Sequence, residues 1–364
     1  MKQTVVQPSL NDIITFAKDL IAIHSTEDNP RALLEILTLA AEKLPGYTTQ
    51  KFTSNGKPSL LIHNDKPTTK HFTIILNAHL DVIPGKDEQF IPFIKNGKLI
   101  GRGAYDMKAG AAVMILLFKE IANNINYPLA LQLVTDEEVS GLHGTKYQIA
   151  KGITADFVIA GENTDNNIIN KAKGPLWLKI KTTGKTAHGA YLWKGDNALW
   201  KMHTVLTAIK QQFPVPTHPA WETTVNLAKI ETSNSTFNKV PDACVAWLDI
   251  RVIPEEEKTI MDKLKKVLPE DMEIEIVVHE PPADTDASNP FVTQLQSAVK
   301  RINNKRGEIT ATNGASDVRF YNKIQIPGVE FGPIGGGAHS DEEWVSVLSF
   351  PQSVIRVVTE ADLL

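Results

Sequence analysis

One cysteine, Cys244, stands in 364 residues. That excludes an internal disulfide and a thiolate metal cage, so any metal must be held by His, Asp and Glu. Excess positive charge is missing too: 38 Lys and Arg against 42 Asp and Glu leave a formal net charge of -4, and no nucleic-acid footprint. The densest basic group, Lys263, Lys265 and Lys266, has the spacing of a solvated helix face. Long hydrophobic runs are also lacking. The longest, Ala109 to Phe118, reaches about half of what a membrane span needs, and MKQTVVQPSL holds no apolar signal core. The expectation is a cytoplasmic chain with neither membrane nor nucleic acid as a partner. What remains, 42% hydrophobic and 22% charged residues, is globular material sufficient for two domains.

Two amphipathic helices open the chain. The first has Ser9 as N-cap and Ile13, Ile14, Ala17 and Leu20 on one face; the second starts at Pro30 and is stopped by Pro45-Gly46. Three strand-like runs follow, FTIILNA (Phe72 to Ala78), LALQLVT (Leu129 to Thr135) and DFVIAG (Asp156 to Gly161), alternating with helical stretches such as Met107 to Ile121. This alternation predicts an α/β fold, a mostly parallel sheet sandwiched by helices. From Gly174 the pattern turns to βαββαβ, with one helix expected over Glu255 to Leu268, the signature of a separate α+β domain. The expected organisation is a discontinuous domain of residues 1–174 and 287–364 with an inserted domain of residues 175–286. A last helix is expected from Pro351.

Polar residues placed directly after the three strands carry the functional argument. His79, the pair Glu137-Glu138, and Glu162 follow them in turn, and ligands of open parallel sheets bind beyond the strands' carboxyl ends. Several acidic groups sharing one crevice repel each other unless cations neutralise them. A metal site is the economical explanation. Each residue also has a plainer reading: His79 and Asp81 as loop caps, Glu137-Glu138 as a solvated turn, Asp106 as the N-cap of the helix after it. Gly101-Arg102-Gly103 lacks the third glycine of a dinucleotide loop, and no Lys-Ser/Thr follows Gly335-Gly336-Gly337, whose simpler role is the approach to His339.

Read together, HLDVIP, GRGAYDMKAG, TDEEVSG, the GE at a strand end, GKTAHGA, DIR, GASDVRF and GGGAHSDEEWV resemble, in order and over nearly the whole chain, the M20 metallopeptidase and deacylase family. The resemblance implies a two-zinc hydrolase, with cobalt or manganese as alternatives. Asp106 would bridge both ions, His79 and Glu162 would complete one shell, Glu138 and His339 the other. Asp81 would orient His79, and Glu137 would be the general base. His188 would reach the site of a partner subunit to steady the oxyanion, which implies a homodimer through the inserted domain. Arg251 and Asn238 would contact a substrate carboxylate and its surroundings; a turn histidine and a surface strand charge are the plainer readings of His188 and Arg251. Ser316 and Arg319 would face the acyl end of the substrate or form a capping box with a structural ion pair. The implied substrate is a small carboxylate-bearing N-acyl amino acid or short peptide, leaning toward N-succinyl-diaminopimelate of amino-acid biosynthesis, with N-acetylornithine and dipeptides as alternatives. A metal-binding scaffold without turnover is the reading from another class, and Glu137 speaks against it.

Overall fold

The structure, a computed structural model, describes residues 8–269, 272–303 and 307–349. The expected helix from Pro351 lies outside them. The chain divides into two compact units: Met1–Asn170, Asp284–Thr310 and Ser316–Leu364 form one, Lys171–Ala283 and Ala311–Ala315 the other.

The first unit is built on a mixed sheet. At its centre the strands Leu129–Val134, His71–His79, Thr154–Ala160 and Gly328–Glu330 lie side by side and parallel, so all four release their chains along one edge. Successive side chains of a strand point to opposite faces, and these strands are apolar on both. Ile74, Leu76, Ala78, Leu131, Leu133, Phe157 and Ile159 enter a core shared with helices Leu10–Ile21, Pro30–Glu42 and Lys108–Ile121. Ile75, Ala130 and Val158 face a second core with Tyr321. The helices start where the caps require. Ser9 Oγ accepts from Asp12 N at 3.1 Å, and Asn29 Oδ1 accepts from Ala32 N at 3.2 Å ahead of Pro30.

Two hairpins add to the three expected strands. Thr48–Ser54 pairs antiparallel with Lys57–His63 across Asn55-Gly56, and Phe93–Lys95 with Lys98–Ile100 across Asn96-Gly97. All four turn residues have positive φ, the conformation that makes Asn-Gly the favoured two-residue hairpin loop.

The second unit is a four-stranded sheet, Thr224–Glu231, Ala243–Val252, Gly174–Thr183 and Glu273–His279 in spatial order, antiparallel throughout. Helices Ala198–Gln212 and Ile260–Val267 cover it, and Met202, Val205, Leu248 and Leu264 lie in its core. Cys244 is buried there. The single helix expected from Glu255 is instead a 3-10 turn at Pro254–Glu256 and a helix starting at Ile260. In that helix Ile260 and Leu264 are buried in the core and Met261 and Val267 pack against it, whereas Glu255 to Thr259 hold no apolar side chain to draw them onto it.

Candidate metal centre

The shared exit edge of the parallel strands brings five of the expected residues together. His79 ends its strand and is 1% exposed. Its Nδ1–H donates to the Asp81 carbonyl oxygen at 3.1 Å. A carbonyl can only accept, so Nδ1 carries a proton, and in the neutral ring the Nε2 lone pair is left for an electrophile. Nε2 lies 3.1 Å from Asp106 Oδ1 and 3.8 Å from Glu162 Oε2. On the other side of Asp106, His339 Nε2 is 3.5 Å from Oδ2 and 2.9 Å from Glu138 Oε2. His79, Asp106 and Glu162 thus form one three-donor cluster and Asp106, Glu138 and His339 another, the ligand atoms of each within 4.8 Å of one another. Asp106 belongs to both.

Asp81 orients His79 through its main chain rather than through the expected carboxylate, which is 3.6 Å from Nδ1. That carboxylate instead accepts the backbone N–H groups of Glu137 at 3.3 Å and Glu138 at 3.0 Å. It therefore fixes the turn that supplies one cluster's ligand and the residue beside it. Behind Asp106, the helix Lys108–Ile121 packs so closely on the end of strand Thr154–Ala160 that a Cβ on Gly110 would meet the Gly161 carbonyl at 2.4 Å. Only glycine permits that approach.

Without ions the acidic groups lean on protons. Hydrogen bonds that His339 donates to Asp106 and Glu138 raise it to about 10. Burial alone would raise Asp106, but the bonds from His339 and His79 outweigh it and hold the carboxyl well below the usual range. Burial lifts Glu162, and lifts Glu137 far above the ordinary carboxylate value with the help of the Glu162 and Asp317 charges. Glu162 Oε1 is buried with no hydrogen-bond partner. An orphaned carboxylate oxygen beside two imidazoles, the shared carboxylate of Asp106 and the carboxylate of Glu138 fits a hard or borderline divalent cation, since all donors are N and O.

The remaining expected residues are placed as follows. Arg319 is buried; its Nη2 donates to the Ser140 carbonyl at 2.7 Å, and Nη1 is 3.9 Å from both Glu137 Oε1 and Asp317 Oδ1. Asp317 precedes helix Val318–Lys323 without a side-chain cap bond, so the plainer reading of this loop keeps its ion pair and loses its capping box. Ser316 is buried beside it. In the second unit, His188 is exposed, Asn238 O accepts from Gly189 N at 2.6 Å, and His188 pairs with Lys239 in an isolated bridge. Arg251 forks onto its own strand neighbour Asp249 at 3.0 and 3.2 Å.

Three residues went unread in the sequence. Lys108 is fully buried, donates from Nζ to the Ile23 carbonyl at 2.7 Å, and is pushed by that burial down to about 7. Arg102 and Glu343 form a buried ion pair at 2.9 Å. An Arg between two glycines and an Asp-Glu-Glu run each look like surface composition. Their only sequence signal is adjacency to Asp106 and His339.

Two overlapping donor clusters at the carboxyl edge of a parallel sheet, with a further carboxylate next to one ligand, define a candidate dinuclear metal centre of the hydrolytic kind. The chain belongs to peptidase family M20/M25/M40, whose model matches residues 75–360, and it is a hydrolase of that family. It is 28% identical to a succinyl-diaminopimelate desuccinylase of Pelagibacter ubique (strain HTCC1062), covering 93% of this chain and 95% of that one. A desuccinylase of Maricaulis maris (strain MCS10) is 27% identical, with 92% and 91% covered. Among solved structures, a tripeptidase of Staphylococcus aureus superposes with a TM-score of 0.81 at 20% identity, covering 99% of this chain and all of that one. A dinuclear metal-binding peptidase of Bacillus subtilis gives 0.72 at 12% identity, with 97% and 96% covered. No helix among the described residues is long and apolar enough to cross a membrane.

Proposed function

We propose that this hydrolase cleaves the amide bond of a small N-acyl amino acid bearing free carboxylates, with N-succinyl-diaminopimelate as the favoured substrate. The observation that carries the reading is the single carboxylate, Asp106, shared by two donor clusters. His79 and Glu162 would hold one ion, Glu138 and His339 the other, and zinc suits this N and O set, with cobalt or manganese as alternatives. When bound, such a pair supplies an acidified water and polarises the scissile carbonyl. Glu137 takes the water's proton and returns it to the leaving amine; it stands beside the ligand Glu138 in the turn that the Asp81 carboxylate holds. No covalent acyl-enzyme is required, in keeping with the burial of Cys244 in the second unit's core.

The second unit serves in this proposal as a lid and as the surface of a homodimer. Ala190 N donates to His188 Nδ1 at 3.1 Å, so a neutral His188 carries its proton on Nε2. That N–H can donate to a developing oxyanion, and it would do so in the site of a second copy. Arg251 and Asn238 would bind the substrate's carboxylate end, Arg251 by exchanging Asp249 for substrate, while Ser316 and Arg319 back the acyl side. The relatives' desuccinylase activity supports the choice of acyl group. The test is an amine-release screen of zinc-loaded protein against N-succinyl, N-acetyl and dipeptide substrates. Turnover of N-succinyl-diaminopimelate that a chelator abolishes, and that Glu137→Ala loses while retaining its ions, is expected. Undiminished turnover in that variant overturns the mechanism.

A further inference from the structure

Asp106 can serve both clusters only if the turn carrying it is held still, and that turn has no regular structure of its own. Residues 101–106 run as successive turns with most of their N–H groups buried. One side chain from the far end of the sequence satisfies three of them, those of Gly103, Tyr105 and Asp106. Glu343 Oε1 accepts from Tyr105 N at 2.9 Å and from Asp106 N at 3.0 Å, and Oε2 accepts from Gly103 N at 3.0 Å and from Arg102 Nη1 at 2.9 Å. The Glu343 main-chain oxygen accepts from Gly101 N at 3.2 Å. Glu343 is 2% exposed. Arg102 balances its charge, so the clamp adds no net negative charge beside a site already crowded with carboxylates.

We infer that Glu343 is a positioning residue for the shared carboxylate: by fixing the Asp106 backbone N–H it presets the Asp106 side chain between His79 and His339. The segment that carries the clamp also carries His339, four residues earlier, so one piece of chain supplies a ligand of the second cluster and orients the ligand both clusters share. The inference rests on the two-ion reading above. A carboxylate is needed because three backbone donors and a guanidinium converge on two oxygens. Gln in the same place would turn an NH2 donor toward other donors, and the turn would relax away from it.

The experiment is a titration of metal-free wild-type protein, Glu343→Gln and Glu343→Asp with Co2+, followed by calorimetry and by the visible cobalt bands, with thermal melts of the metal-free proteins alongside. Wild type is expected to take up two ions. In Glu343→Gln the second ion is expected to bind roughly 10- to 100-fold more weakly, the range seen when outer partners of metal ligands are lost. Its cobalt bands shift, turnover falls in kcat more than in KM, and Glu343→Asp recovers part of the loss. If Glu343→Gln does not fold, Arg102→Gln decides, because it leaves the bonds from Gly103, Tyr105 and Asp106 in place while removing the guanidinium from Oε2; a smaller weakening in the same direction is expected. A lower melting temperature with wild-type affinity for both ions and wild-type bands overturns the inference and makes Glu343 a structural plug. Fewer than two ions in wild type overturns the two-ion reading, and this inference with it.

Discussion

The two donor clusters share Asp106 and differ in almost everything else. His79 and Glu162 sit at the ends of adjacent parallel strands whose side chains fill two cores, and both are at least nine-tenths buried. His339 comes from a glycine-rich loop at φ 63°, with its side chain 52% exposed. The first cluster is therefore fixed by the packing that fixes the sheet. The second is completed by a segment whose place depends on a few hydrogen bonds. A buried, preset site binds more tightly than one that must order a loop, so the first ion should be the resident one and the second the exchangeable one.

The largest expected effect comes from removing what the clusters share. Asp106→Ala should lose both ions and more activity than any other single change, measured by metal content and turnover together. Glu137→Gln comes next: both clusters stay intact, metal content stays at wild type, and kcat falls by roughly 10²- to 10⁴-fold, the usual worth of a general base. The comparison itself is tested by the two histidines. His79→Ala should lower the melting temperature and abolish the tight ion, whereas His339→Ala should keep the fold and lose only the weaker one; equal losses of metal would show that the clusters are not graded. Mild chelation should likewise strip one equivalent before the other. The smallest effect supplies the background for any pH study. His63, buried in the hairpin away from both clusters, is held by burial below its ordinary value of 6.5, so its neutral form is the one that fits. Its contribution to stability is complete above that value and is lost as pH falls through 6.5 toward the folded-state value. Metal-free melts between pH 7.5 and about 5 should drop more steeply for wild type than for His63→Gln.

The same contrast explains what the sequence revealed. Strand ends were legible because β-branched and leucine-rich runs stop abruptly at His79, Glu137 and Glu162, and a parallel sheet gives them one edge. His339 follows no long apolar run, and its assignment rested on the resemblance of GGGAHSDEE to a known pattern. The division of labour between Glu137 and Glu138 was equally invisible, since the pairing of Glu138 with His339 is set by the loop. Glu343 could not be read at all: its partners are backbone N–H groups of a distant turn, which leave no side-chain signature. The Asn-Gly hairpins are the opposite case, a local signal fully present in the sequence. The nearness of Asp81 to His79 is implied by their spacing, but which of its oxygens meets Nδ1 is decided by the chain's course after the strand.

The order of the ligands along the chain has a consequence for biosynthesis. His79, Asp106, Glu138 and Glu162 have all left the ribosome long before His339, and domains begin to fold as they emerge. The first unit is discontinuous, however, and its sheet is completed only by Gly328–Glu330. On the two-ion proposal, a growing polypeptide would hold every donor but one early and would stay hydrolytically silent until His339 arrived.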